Sequence, residues 1–119
     1  MIRWGILGGG NIARRFAQSM EVIRGSRITA VSCRSREKAE DFAGRYGIER
    51  AFGSHESLLE DDQVDAIYLA LPHGLHCEWA LRAMKAGKAV LCEKPAAMSE
   101  AEMRLMAETA AECGVLWVI

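Results

Sequence analysis

Short apolar runs alternate with longer amphipathic segments along the whole sequence, and glycine follows several of the amphipathic segments. The apolar runs, which we interpret as strands, are residues 2–7, 28–32, 48–52, 66–71, 89–92 and 115–119. The amphipathic segments predict helices over residues 11–24, 36–46, 54–61, 77–86 and 100–113. Strand–helix units repeated with short connections require parallel strands joined by right-handed crossovers. The sequence therefore predicts one doubly wound α/β domain with a mostly parallel sheet.

The size and charge of the chain exclude several classes of protein. Its 119 residues are enough for one domain, and 50% of them are hydrophobic, so we expect a packed core rather than disorder. Fifteen basic and 16 acidic residues give a net charge of −1, which provides no general attraction to nucleic acid or to an anionic membrane. The first residues lack a signal peptide's long apolar region, and no apolar run approaches the roughly 20 residues of a membrane span. We therefore expect a soluble, cytoplasmic protein.

A glycine-rich loop directly follows the first predicted strand. It fits the G-x-G-x-x-A pattern through Gly8, Gly9, Gly10, Asn11, Ile12 and Ala13. In such loops the first glycine permits a tight turn, the second glycine of the pattern lets the backbone approach a pyrophosphate, and the small last residue allows close helix–strand packing. The start of the helix also offers free N–H groups and a partial positive charge to phosphate. We predict cofactor contacts at residues 8–12, and a purely structural turn is the alternative.

Basic residues follow the second predicted strand, where the residue type selects between NAD and NADP. An NAD site usually has Asp or Glu here to hold the ribose 2′-hydroxyl, whereas arginine suits a 2′-phosphate. The residues present are Arg34, Ser35, Arg36 and Lys38, with no acid before Glu37. Arg34 can pair with phosphate through two hydrogen bonds, Ser35 can donate its hydroxyl, and the other cations add charge. The pattern favours NADP as cofactor, with a solvated basic helix start as the alternative.

The residues after the fourth predicted strand would border the nicotinamide side of the same cleft. We expect Leu71, Pro72, His73 and His76 to line it, although a structural role for His76 at the start of a helix is an equal alternative. The two histidines and Cys77 could be imagined as metal ligands. Cys77, however, belongs to the predicted core face of its helix, and no further ligand follows at a matching spacing. We therefore expect no metal site.

Glu93 and Lys94 end the next predicted strand, at the edge of the sheet where open α/β proteins bind their ligands. A lysine here can donate to a substrate oxygen, and with a pKa lowered by burial it can assist proton transfer. Glu93 could hold that lysine in place. We predict that both residues border the cofactor, and an ordinary exposed Glu-Lys pair in a loop is the alternative.

Taken in their order along the chain, these clusters resemble the N-terminal half of the Gfo/Idh/MocA oxidoreductase family. The most specific part is the segment A-G-K-A-V-L-C-E-K-P at residues 86–95, which is similar to the family signature A-G-K-x-V-L-x-E-K-P. Residues 34–36 and 92–95 look most like the NADP-using dihydrodiol and xylose dehydrogenase branch. His73 differs, because many members carry asparagine after the proline.

The resemblance implies reversible hydride transfer between NADP, or less favourably NAD, and a hydroxyl-bearing carbon of a sugar, polyol or cyclic diol. It implies that Lys94 is the family's catalytic-site lysine and that His76 lines the nicotinamide pocket. It further implies that residues 1–119 are the dinucleotide-binding domain of a longer protein. A second domain would then supply the remaining acid–base groups, most substrate contacts and the surface of a homo-oligomer. A non-catalytic NADP-binding regulator of the same family and a stand-alone α/β interaction domain are the alternatives.

Overall fold

The computed structural model describes residues 1–93 and 99–119 of the chain. The strands are β1 (Ile2–Leu7), β2 (Ser26–Ser32), β3 (Arg50–Phe52), β4 (Ala66–Leu69), β5 (Ala89–Cys92) and β6 (Trp117–Val118). The helices are α1 (Asn11–Met20), α2 (Arg36–Tyr46), α3 (His55–Leu59), α4 (His76–Lys85) and α5 (Glu100–Cys113), with a short 3-10 turn at His73–Leu75 before α4. Within the described residues, all strands pair in parallel in the order β3-β2-β1-β4-β5-β6. This doubly wound order confirms the predicted fold class.

The sheet separates two apolar clusters, one on each of its faces. The first cluster joins α1 and α2 to the sheet and includes Ile6 and Tyr68. The second joins α3, α4 and α5 to the opposite face and includes Leu7 and Ile67. Because successive side chains of a strand point to opposite faces, neighbouring residues of β1 and of β4 enter different clusters. Burial on both faces explains why these central strands are apolar at nearly every position.

Serine and glycine mark the ends of several helices, as the sequence predicts. The hydroxyls of Ser35, Ser54 and Ser99 each accept a hydrogen bond of 3.2 Å from the backbone N–H three residues further on. Gly47 and Gly114 follow α2 and α5 with φ of +66°, the left-handed conformation of a helix C-cap. Each serine cap stabilises its helix by about 1 kcal/mol.

Several elements end earlier than their apolar patterns predict. α1 stops at Met20 instead of residue 24, because Val22 and Ile23 are exposed and find no core to enter. β4 stops at Leu69 instead of residue 71, since its two neighbours, β1 and β5, pair with it only as far as that residue. The strands at the two edges of the sheet, β3 and β6, are also shorter than predicted.

Polar side chains stabilise the end of the sheet at which the central strands begin. Lys88 is buried, and its Nζ donates hydrogen bonds of 2.8 Å to the carbonyl oxygens of Asp61 and Val64 in the loop before β4. The guanidinium of Arg3 donates to both carboxylate oxygens of Asp65, at 2.8 and 3.0 Å. These bonds lower the pKa of Asp65 to about 2. Both interactions lie at the end of the sheet opposite to the cleft described next, so they serve the fold.

Candidate functional site

A cleft of about 1050 Å³ opens at the carboxyl ends of the central strands. β1 leads into α1 on one face of the sheet, and β4 leads towards α4 on the other face. The two connections therefore diverge and leave a crevice between them, which is where doubly wound sheets bind ligands. The lining comes from the loops after β1, β2 and β4, from residues of α1, α2 and α4, and from the first residue of α3.

The three glycines of the loop after β1 have different environments. Gly8 has φ of +106°, and a Cβ there would lie 2.5 Å from the carbonyl oxygen of Ala70. A Cβ on Gly9 would lie 2.7 Å from the Sγ of Cys33, a close approach that the sequence pattern did not indicate. At Gly10 nothing lies within 4 Å of the position that a Cβ would take. Gly8 and Gly9 are thus required by the fold, whereas Gly10 leaves open space in the cleft.

The start of α1 presents backbone N–H groups to this space. Gly10 is the N-cap residue, and it provides no side chain to occupy them. Asn11 also lines the cleft, with its Oδ1 accepting a hydrogen bond of 2.9 Å from Arg14. The side chain of Ile12 is exposed and lies outside the cleft lining, while Ala13 is fully buried against the sheet. Free N–H groups at the positive end of a helix dipole form a site for an anion such as phosphate.

Of the basic residues after β2, Arg34 and Lys38 line the cleft together with Ser35. Arg34 is exposed and forms no ion pair with the part of the chain that the structure describes. The hydroxyl oxygen of Ser35 accepts from the Lys38 N–H, which leaves its own hydrogen available to a ligand. Arg36 lies outside the cleft lining, where it pairs at 2.9 Å with Glu40 one helical turn away.

Part of the lining was missed by the sequence reasoning. These residues are Arg14, Cys33, Glu37, Asp41, Phe42, Arg45, Tyr46, His55, Ala70, Leu75 and Trp79. Glu37, Asp41 and Arg45 recur every fourth residue, which places them on the side of α2 that carries Lys38. That spacing was a usable signal. No signal in the sequence pointed to His55 and Trp79, because they reach the cleft from separate elements.

The predicted residues after β4 divide between the cleft and the protein interior. Leu71 and Pro72 line the cleft. His76 is buried, and its Nε2 lies 2.9 Å from the carbonyl oxygen of Leu71, so that it holds this loop to the start of α4. His73 is exposed and packs against the ring of His76 with a centroid distance of 5.4 Å, also outside the cleft lining. The geometry agrees with the structural alternative for His76.

Glu93 follows β5 and lies outside the cleft lining as the structure describes it. Its Oε1 accepts a hydrogen bond of 2.9 Å from the hydroxyl of Tyr68. Burial raises the pKa of that hydroxyl, and the bond to Glu93 raises it further, so Tyr68 stays a donor. Lys94 lies outside the described residues.

The described residues contain no group of three or more His, Cys, Asp or Glu side chains placed to hold a metal ion. In the same part of the chain, no helix is both long and apolar enough to cross a membrane.

A parallel, doubly wound sheet with a glycine loop opening a helix at its switch point defines a dinucleotide-binding Rossmann domain. Residues 2–119 match the family GFO_IDH_MocA, described as an oxidoreductase family with an NAD-binding Rossmann fold. The chain belongs to this family. The resemblance found in the sequence is thereby confirmed.

Named relatives are similar over almost the whole chain. A trans-1,2-dihydrobenzene-1,2-diol dehydrogenase of Mus musculus is 40% identical over 116 residues, which cover 96% of this chain and 35% of the relative. A 1,5-anhydro-D-fructose reductase of Ensifer adhaerens is 38% identical over 116 residues, covering 98% of this chain and 35% of the relative. The crystal structure of KijD10, a 3-ketoreductase from Actinomadura kijaniata in complex with NADP, superposes with a TM-score of 0.93 at 38% identity over 98% of this chain and 37% of that one. The chain thus spans about a third of the length of these relatives.

Proposed function

We propose that the chain is the cofactor-binding domain of an NADP-dependent oxidoreductase. The reaction is hydride transfer between NADP and a hydroxyl or carbonyl carbon of a sugar, polyol or cyclic diol. The observation that carries the proposal is the juxtaposition of Arg34 with an uncapped helix N-terminus in one cleft. The names of the relatives, which include a diol dehydrogenase, an anhydro-D-fructose reductase and a 3-ketoreductase, support the reaction class.

The residues of the cleft fit the phosphates of NADP. The open space in front of Gly10 and the N–H groups of α1 suit a pyrophosphate. Arg34, Ser35 and Lys38 would hold the ribose 2′-phosphate, for which a charge-assisted pair with arginine is the strongest recognition. The loop after β2 begins without an acid to bind a ribose 2′-hydroxyl, so NAD is the less favoured cofactor. When bound, the nicotinamide would accept or supply the hydride.

We assign the catalytic role to Lys94 by its place in the family signature. Glu93 adjoins it in sequence and is held by Tyr68. Lys94→Ala in a longer, active form of the protein should leave cofactor affinity nearly unchanged and abolish turnover. Normal turnover of that variant would remove the assignment.

The proposal also covers features of the whole protein. A further domain would carry the substrate contacts and the remaining acid–base groups, which agrees with the third of its relatives' length that this chain spans. We also propose that the full-length protein is a cytoplasmic homo-oligomer that binds neither nucleic acid nor membranes.

Titration of the folded chain with NADPH and with NADH tests the cofactor assignment. Arg34→Ala should weaken NADPH binding by about tenfold to a hundredfold, because a charge-assisted hydrogen bond contributes about 1.5–3 kcal/mol. NADH binding should change by less than about threefold, since NADH has no 2′-phosphate. Arg104→Ala is the matched control, because Arg104 is an exposed arginine of α5 paired with Glu100. Equal effects of Arg34→Ala on both cofactors would contradict the 2′-phosphate assignment.

A further inference from the structure

His55 reaches the cleft from the loop that runs beside the basic loop after β2. β3 ends at Phe52, which pairs with Ser32 at the end of β2. Gly53 then packs against the start of α2, where a Cβ added to this glycine would lie 3.2 Å from the backbone nitrogen of Arg36. The chain therefore delivers His55, the first residue of α3, next to the loop that carries the predicted 2′-phosphate ligands.

The ring of His55 is held in a defined position within the cleft lining. Its Nδ1 lies 2.6 Å from the hydroxyl oxygen of Ser32, which is fully buried, and its ring packs edge-to-face on Trp79 at 5.1 Å. A serine hydroxyl can donate or accept, so this bond survives whether or not the imidazole is protonated. Among the described residues Nε2 has no hydrogen-bond partner, which leaves it for a ligand in the cleft.

Burial, more than the charges around it, lowers the pKa of the free His55 imidazole. Burial lowers its pKa, Glu56 on its own helix raises it, and Arg34 on the neighbouring loop lowers it. On α4, Arg82 lies over the ring of Trp79 at 4.5 Å and 3.9 Å from the carboxylate of Glu56. A phosphate dianion placed beside Arg34 would reverse this balance, because a nearby opposite charge favours the imidazolium form.

We propose that His55 is a specificity-determining residue for NADP, which takes up a proton on binding and joins Arg34 at the 2′-phosphate. The inference rests on the proposed function, since it places the adenosine half of NADP in this cleft. A proton taken up only with the 2′-phosphate strengthens NADP binding as the pH falls and leaves NAD binding unaffected. The preference for NADP over NAD therefore increases as the pH falls through the range in which free His55 is neutral and bound His55 is charged.

Calorimetric titration of the wild-type chain and of His55→Gln with NADP⁺ and NAD⁺ tests this. The affinity ratio of NADP⁺ to NAD⁺ in the wild type should rise about threefold to tenfold from about pH 8 to about pH 6. In His55→Gln the ratio should stay flat or fall, because the 2′-phosphate itself begins to take up a proton near pH 6. Measurement in two buffers of different ionisation enthalpy should show net proton uptake only for the wild type with NADP⁺.

The outcomes separate the two proposals. An equal pH dependence in both proteins, with an NADP⁺ preference that Arg34→Ala removes, would overturn the role of His55 and leave the proposed function intact. Binding of neither dinucleotide by the folded wild type would overturn both. If His55→Gln does not fold, the imidazole NMR titration of the wild type decides, since the chain has only three histidines. One histidine pKa should rise with NADP⁺ and stay unchanged with NAD⁺, and the absence of that rise would refute the inference.

Discussion

Gly8→Ala tests whether the glycine loop is built as the structure indicates. Alanine at φ of +106° is strained, and such backbone strain costs about 1–3 kcal/mol. The added Cβ would also lie 2.5 Å from the carbonyl oxygen of Ala70, a backbone atom that a side-chain rotation cannot move away. Forcing this contact apart adds a cost of about 1–3 kcal/mol. The combined loss of about 2–6 kcal/mol is a large share of the total stability of a domain this size.

Urea denaturation followed by tryptophan fluorescence measures the loss, since the chain contains three tryptophans. Gly10→Ala is the matched control in the same loop, because its φ is −88° and nothing lies within 4 Å of the new Cβ. We expect this variant to lose less than about 1 kcal/mol of stability and at least about tenfold in NADPH affinity, because the methyl group enters the space that the pyrophosphate needs. Wild-type stability of Gly8→Ala, or equal destabilisation of both variants, would refute the reasoning.

Two further predictions concern the opposite edge of the sheet. Lys88→Met removes the donor to two carbonyl oxygens, in one buried and one part-buried hydrogen bond, and should lower the free energy of unfolding by about 2–3 kcal/mol; a urea midpoint equal to that of the wild type would contradict this. Hydrogen bonds from Arg3 lower the pKa of Asp65 from 3.8 to about 2, so the carboxylate contributes stability above about pH 4 that is lost as the pH falls through about 2. Asp65→Asn should lose less stability in acid than the wild type does. The difference should be below about 1 kcal/mol, because Asp65 is 41% exposed. Parallel acid-denaturation curves for wild type and variant would refute this prediction.

The fold could be predicted from the sequence because its signals are local. Apolar runs, serine caps and glycine ends each occupy a few consecutive residues, and together they restrict the chain to parallel strands with crossover helices. The carboxyl end of β4 could not be found in this way, since its neighbours set where the pairing stops. The same holds for α1, whose pattern continues to Ile23 although no core is present there to bury that residue.

The same distinction between local signals and features set by the folded chain applies to the candidate site. The glycine loop and Arg34 were found because their positions follow directly from a strand end. His55 and Trp79 were missed because they lie on α3 and α4, which only the folded sheet brings together. The sequence left His76 open between two roles, and the structure places its buried Nε2 at 2.9 Å from the carbonyl oxygen of Leu71.

The segment A-G-K-A-V-L-C-E-K-P at residues 86–95 has two parts with different roles, and the buried amine of Lys88 belongs to the first. Lys88 holds the loop before β4, whereas Glu93, which precedes Lys94 in the sequence, follows β5 at the opposite end of the sheet. A protein of this fold that only senses the dinucleotide would need that fastening as much as an enzyme does. The first half of the motif is therefore expected in any protein with this fold. Only its Glu-Lys end can distinguish an enzyme from a regulator that binds the dinucleotide without catalysis.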